Sequence, residues 1–152
     1  MTASTHDRLA AWLDDWPVGR TLAPLRVTPG LSDIVQMSIA TRDFHPVHHD
    51  AETARRLGHP APFLNIMSTS ALVERFVREA LGHPVRLVAL SLRLGVPHHA
   101  GETLTFEGEI AARSAADGAA PACEVRFSGS NRLGRHVHGT LRLQPPAPAA
   151  AR

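Results

Sequence analysis

Between residues 85 and 143 four segments alternate apolar and polar residues in succession: "VRLVALSLRL" (85–94), "ETLTFEGEIAAR" (102–113), "PACEVRFSG" (121–129) and "GRHVHGTLRL" (134–143). A period of two turns one face of a strand to a core and the other to solvent, and each segment is bounded by Gly, Pro or Asp-Gly. Ahead of them "TLAPLRVT" (21–28) reads as one more strand. Between that strand and the series lie helical patterns. In "LSDIVQMSIA" the residues Leu31, Ile34, Val35, Ser38 and Ile39 fit one face, and the helix ends near Thr41. Asp50 suits the N-cap of "AETARRLG", which Gly58 closes. A longer helix is expected from Phe63 to about Leu81, apolar nearly all round at first. It then carries a stripe of Val73, Phe76, Val77 and Ala80 opposite Glu74, Arg75, Arg78 and Glu79. One strand, helices, then four consecutive strands is an α+β order, not a repeating βαβ. It predicts an antiparallel sheet curled round the long helix.

The chain has 152 residues, 43% of them hydrophobic and 20% charged, which predicts one soluble domain over 19–144. Residues 1–18 read as an N-terminal helix or arm, with Trp12 and Trp16 packing it onto the domain or a second subunit, and 145–152 as a disordered tail. All 16 basic residues are Arg, dispersed along the chain, so the net charge of +2 carries no basic stripe. With 5% aromatic residues, this argues against nucleic acid as a partner. Cys123 is the single cysteine, which excludes an internal disulfide. No basic-then-apolar leader opens the chain, and the uncharged run 57–73 is too short and too rich in Gly, Pro and Asn to span a membrane. A cytoplasmic protein is expected.

The stretch "ATRDFHPVHHD" (40–50) concentrates the chemistry. His45, His48, His49 and Asp50 are metal-ligand types, but adjacent His48 and His49 point apart and no ligand motif supports them, so no metal is expected. His98-His99 and His136-x-His138 offer the same side chains without a better pattern. A solvated loop is the plain reading of the stretch. Against it, Asp43 and His48 stand five residues apart at the mouth of the uncharged run, where a carboxylate and an imidazole can share a water as an acid–base pair. Ser68, Ser70 and Cys123 lack the surroundings of a nucleophile. Arg93, Arg126, Arg132 and Arg135 suit phosphate, or simply solvent at a strand edge.

These residues resemble a known family. "RDFHPVHHD" is similar to the hydratase motif Asp-x-Asn-Pro-x-His-x-Asp of the MaoC-like, (R)-specific enoyl-CoA hydratases. Asp43, Pro46, His48 and Asp50 match, and His45 replaces the usual Asn. The likeness extends to "LRLGVPHHAGETLTFEGEI" and spans about residues 25–143. It implies a hot-dog fold, an acyl-CoA thioester as substrate, no cofactor and a (3R) product. It also implies that Asp43 takes a proton from water while His48 orients that water. At the onset of the central helix the family usually reads His-Gly-Met-Leu, whereas this chain reads "FLNIMS", with Asn65 in place of the Gly. "FLNIM" followed by "LVERFV" looks more like the small subunit of steroid side-chain-degrading enoyl-CoA hydratases. That likeness implies a bulky acyl group, Phe63, Asn65 and Ser68 as substrate-binding residues, and a homodimer or a heteromer with a second MaoC-like chain. A hot-dog thioesterase and a non-catalytic hot-dog subunit are the rival expectations.

Overall fold

A computed structural model describes residues 13–82, 84–114 and 121–146. Trp12, most of the expected arm and most of the expected tail lie outside the described residues. Strand β1 (Leu25–Val27) leads into helix α1 (Leu31–Ala40), a 3-10 turn over Pro46–His48, the short helix α2 (Ala51–Arg56) and the long helix α3 (Ile66–Leu81). Strands β2 (Arg86–Leu94), β3 (Leu104–Ser114), β4 (Ala122–Asn131) and β5 (Gly134–Gln144) follow. They form one antiparallel sheet in the order β1-β3-β4-β5-β2, the curled sheet of the hot-dog fold that the sequence predicts. Register shifts in the β2·β5, β3·β4 and β4·β5 pairings bend the sheet, as bulges do. Among the described residues, no helix is long and apolar enough to cross a membrane.

Helix α3 fills the concave face. It buries Ser68, Thr69, Leu72, Val73, Phe76, Val77 and Leu81, while Glu74–Arg78 and Arg75–Glu79 pair across one turn on the opposite face. Fully burying a side chain such as Phe76 contributes roughly 1.5–3 kcal/mol. Phe76 stacks on Phe106 of β3 at 5.9 Å between centroids. It can do so because Gly108 faces it: a Cβ there would lie 3.2 Å from the Phe76 ring and 2.7 Å from the Arg126 carbonyl oxygen. Leu13 and Trp16, the first part of the arm that is described, join this same core. Arg20 lies over the Trp16 ring at 4.6 Å.

Two sequence expectations change. Leu31 and Ile39 of α1 are exposed, and the face that turns inward runs through Ile34 and Ser38, with Met37 packed against the core. The long helix begins at Ile66, not Phe63, because Phe63 is held in an isolated antiparallel bridge with His99. As a result Ile66 and Met67 are about half exposed, where the apolar sequence predicts a sunken first turn.

Three histidines are buried at this end of the sheet, and one of them, His136, bonds α3. His136 Nδ1 donates to the Val96 carbonyl at 2.7 Å, which leaves Nε2 to accept from Thr69 Oγ1 at 3.0 Å. Asn131 Nδ2 donates to the Pro97 carbonyl at 2.9 Å and lies 3.3 Å from His98 Nδ1. Burial first, then the neighbouring His136, pushes the His98 imidazole down to about 4, with Glu102 opposing. Burial likewise lowers His136 against its bond to Val96, and His99 against the nearby Glu102.

The depressed histidines set a pH dependence. Near pH 7 they are neutral in both states; as pH falls from about 6.5 towards 4, the unfolded chain takes up protons that the native chain refuses. Stability should therefore drop through that window, by on the order of 2–3 kcal/mol from His98. Denaturant titrations at several pH values would check this, and His98→Gln, which has no proton to gain, should flatten the slope. A second expectation concerns Gly139, where an added Cβ would overlap the Ser91 carbonyl oxygen and lie 2.9 Å from Leu92 Cα. Gly139→Ala should pry β5 from β2 and destabilise the protein by about 1–3 kcal/mol, read as a lower denaturation midpoint.

Candidate active site

The residues around Asp43 end α1 in a defined way. Arg42 N–H donates to the Ile39 carbonyl and Asp43 N–H to the Ser38 carbonyl, each at 3.0 Å, which is a Schellman closure with Arg42 left-handed at φ 55°. A side chain in that region costs about 1–2 kcal/mol relative to the right-handed one, and here the closure sustains it. Ser38 Oγ also donates to the Asp43 carbonyl. Asp43 is thus held at both backbone groups by one residue of α1, with its carboxylate about one-third exposed.

His45 and Pro46 open the 3-10 turn that carries His48. Pro46 sits at its start, where a missing N–H matters least, and His45 Nδ1 accepts from Val47 N–H at 3.4 Å. The imidazole therefore caps the turn in the position where the family motif has Asn. Asp50, as predicted, caps α2 through Thr53 N–H at 2.8 Å, and that bond is the first cause of its lowered pKa. Gly58, at φ 87°, closes α2.

His48 reaches inward, and its Nδ1 donates to the Phe63 carbonyl at 2.7 Å. That carbonyl is fixed in turn: Leu64 N–H donates to the His98 carbonyl and Ala100 N–H to the Pro62 carbonyl, on either side of the Phe63–His99 bridge. With Nδ1 carrying the proton, Nε2 of neutral His48 presents a lone pair. It lies 3.4 Å from Asp43 Oδ2. A direct charge-assisted bond would be nearer 2.7–2.9 Å, and in this tautomer both groups present lone pairs to the same place. A single water can donate one proton to each.

The third part is the start of α3. Asn65 caps it: Oδ1 accepts from Ser68 N–H at 2.7 Å, and Nδ2 donates to Thr41 Oγ1 at 2.9 Å. Among the described residues, the N–H groups of Asn65, Ile66 and Met67 have no acceptor. Unpaired N–H groups at a helix start suit developing negative charge. Ser68 is buried, and the Phe63 ring packs edge-on against His48 at 5.1 Å. Apolar Ile39, Phe44, Ile66 and Met67, from the elements that carry these groups, remain exposed.

The other sequence candidates fall elsewhere. No group of three or more His, Cys, Asp or Glu able to hold a metal occurs among the described residues. Burial raises the Cys123 thiol to about 11, far from a thiolate, and Ser70 Oγ is bonded back to the Ile66 carbonyl. Arg126 pairs with Glu109 and Arg132 with Glu102, while Arg93 and Arg135 are exposed on the sheet. Sequence reasoning missed the Phe63 carbonyl as the group that sets the His48 tautomer, and Thr41 as the partner of Asn65.

No family model matches the chain. Over 126 residues it is 39% identical to the 3-oxo-4,17-pregnadiene-20-carboxyl-CoA hydratase beta subunit of Mycobacterium tuberculosis (strain ATCC 25618 / H37Rv), covering 83% of this chain and 94% of that protein. It superposes on a chain of the ChsH1-ChsH2 complex from Mycobacterium tuberculosis with a TM-score of 0.77 and 38% identity, over 86% of this chain and 98% of that one. The (R)-hydratase from A. caviae involved in PHA biosynthesis shares the fold at a TM-score of 0.76 and 21% identity, over 86% and 97% of the two chains. With that identity across most of its length, the same curled sheet around α3 and the motif residues in one loop, the chain belongs to the MaoC-like hydratase family, hydro-lyases built on the hot-dog fold.

Proposed function

We propose that this protein is an enoyl-CoA hydratase that adds water across a 2-enoyl thioester, with Asp43 and His48 as its catalytic pair. The observation that carries the reading is the convergence of two acceptors, Asp43 Oδ2 and His48 Nε2, 3.4 Å apart. A water that donates to both has its oxygen lone pairs turned outward towards the β carbon of a bound enoyl group. Asp43 takes one of its protons as the new C–O bond forms. The π electrons move towards the thioester, and the resulting negative charge on its oxygen meets the open N–H groups of Asn65, Ile66 and Met67 at the start of α3. The α carbon then receives a proton from the pair, which regenerates the carboxylate and leaves the (3R)-hydroxyacyl thioester. Because every step is reversible, the same site dehydrates that product.

The substrate is an acyl-CoA with a bulky, steroid-like acyl group. The name of the 39% identical relative supports this, as do Ile39, Phe44, Ile66 and Met67, which offer apolar surface on the elements that carry the catalytic groups. The working form is a heteromer with a second MaoC-like chain, in keeping with the two-chain complex to which this fold is similar. Phe63 and Ser68 contribute by shaping the floor of the site. Phe63 acts through its backbone carbonyl on His48 as well as through its ring.

Asp43→Asn and His48→Gln should each lower kcat by about 10²–10⁴-fold with the fold retained. The measurement is the loss of enoyl-thioester absorbance with a short and a steroid-sized enoyl-CoA, with and without a candidate partner chain, while free thiol is followed in parallel. Hydration at the wild-type rate in Asp43→Asn would sink the catalytic assignment, and thiol release would turn the reading to a thioesterase.

A further inference from the structure

We infer that Asn65 and Thr41 are positioning residues for this reaction: their hydrogen bond ties the turn that carries Asp43 to the helix start that faces the thioester oxygen. The inference rests on the hydratase reading and assigns the Asn65 side chain a role other than substrate contact, its backbone N–H remaining one of the donors at the helix start. The bond pattern fixes the orientation of the Asn65 amide. Its Oδ1 accepts from Ser68 N–H, so its Nδ2 points at Thr41 Oγ1, 2.9 Å away. Thr41 donates its own proton to the Met37 carbonyl at 2.8 Å, which leaves an oxygen lone pair for Asn65. Asn65 is 4% exposed, and each end of its amide has a partner inside the protein.

What this tie holds follows from the closure of α1. Thr41 is the C-cap, Arg42 and Asp43 complete the closure, and Ser38 grips Asp43 at both backbone groups. The last turn of α1 and Asp43 therefore move as one piece. Packing alone anchors that piece weakly, because Leu31 and Ile39 are exposed and only Ile34 and Ser38 are fully buried along α1. The Asn65–Thr41 bond sets where the base sits relative to the N–H groups at residues 65–67. Addition of water needs both at once, the base on the attacking oxygen and the donors on the thioester, so a shift of one against the other slows chemistry more than binding.

Two substitutions cut the tie while leaving the helix capped or the threonine volume intact. Thr41→Val removes the acceptor, and Asn65→Ser keeps an N-cap oxygen but cannot reach Thr41. Each should lower kcat about tenfold with KM within about twofold, and the double variant should be no worse than either single one, as expected of two partners in one interaction. Thr41→Ser, which keeps the hydroxyl, should restore kcat. As a readout independent of turnover, the His48 imidazole cross-peak in a proton–carbon NMR spectrum should move in Thr41→Val and return in Thr41→Ser, since Asp43 lies against that ring. Full kcat in both single variants, or losses that multiply in the double variant, would overturn the inference while leaving the hydratase reading in place. A wild type without hydratase activity in any combination would instead remove that reading. In that case an unmoved His48 signal in Thr41→Val would overturn the tie as well.

Discussion

The seating of one aromatic ring against a residue without a side chain governs how far α3 enters the sheet. Phe76 stacks on Phe106 beside Gly108, where a Cβ would crowd the ring at 3.2 Å, and the bulged pairings bend the strands around the helix so seated. Everything in the site is placed from that helix outward. Its first turn comes to lie near the loop after β2, where the Phe63–His99 bridge forms. The bridge fixes the Phe63 carbonyl, the carbonyl fixes the proton on His48 Nδ1, and the free Nε2 then faces Asp43. Packing in the core and the tautomer of the His48 ring are links in one chain of cause.

How legible this was differs by kind of interaction. The four late strands were legible because the alternation of buried and exposed positions is a side-chain signal, and their ends fall within two residues of the predicted ones. Asp43 and His48 were legible because both belong to one short loop. The start of α3 was not, since "PFLN" is apolar enough to continue a helix and only pairing with His99, distant in sequence, draws Phe63 into an extended bridge. In α1 the helical period was right and the rotation wrong: Leu31 and Ile39 have the chemistry of core residues, but the sheet meets the helix along Ile34 and Ser38. A backbone carbonyl such as that of Phe63 leaves no trace in side-chain chemistry at all.

The histidines divide by their surroundings, not by their sequence neighbours. His98, His99 and His136 are buried, and burial favours their neutral forms; His136 bonds Thr69 of α3, while His98 lies against Asn131 and His99 against His59. His48 is also mostly buried but keeps one nitrogen at the edge of the solvent-facing loop, beside a carboxylate. Adjacent histidine pairs in the sequence thus mark two different settings, one buried beside the sheet and one that brings an imidazole nitrogen up to a carboxylate. The division explains why a ligand-rich composition yields no metal cluster among the described residues.

The replacement of the family's glycine by Asn65 bears on whether the helix start can still act on a thioester. A glycine is required where the backbone must adopt a left-handed conformation or where a side chain would block approach. Neither holds here. Asn65 has φ −83° and ψ 169°, an extended conformation open to any residue, so the substitution carries no backbone strain. Its side chain turns back into the protein, one end on Ser68 N–H and the other on Thr41. The cap satisfies the donor of the third helical residue and leaves those of residues 65–67 open. The departure therefore closes off none of these N–H groups; it adds a tether between the first turn of α3 and the turn that holds Asp43.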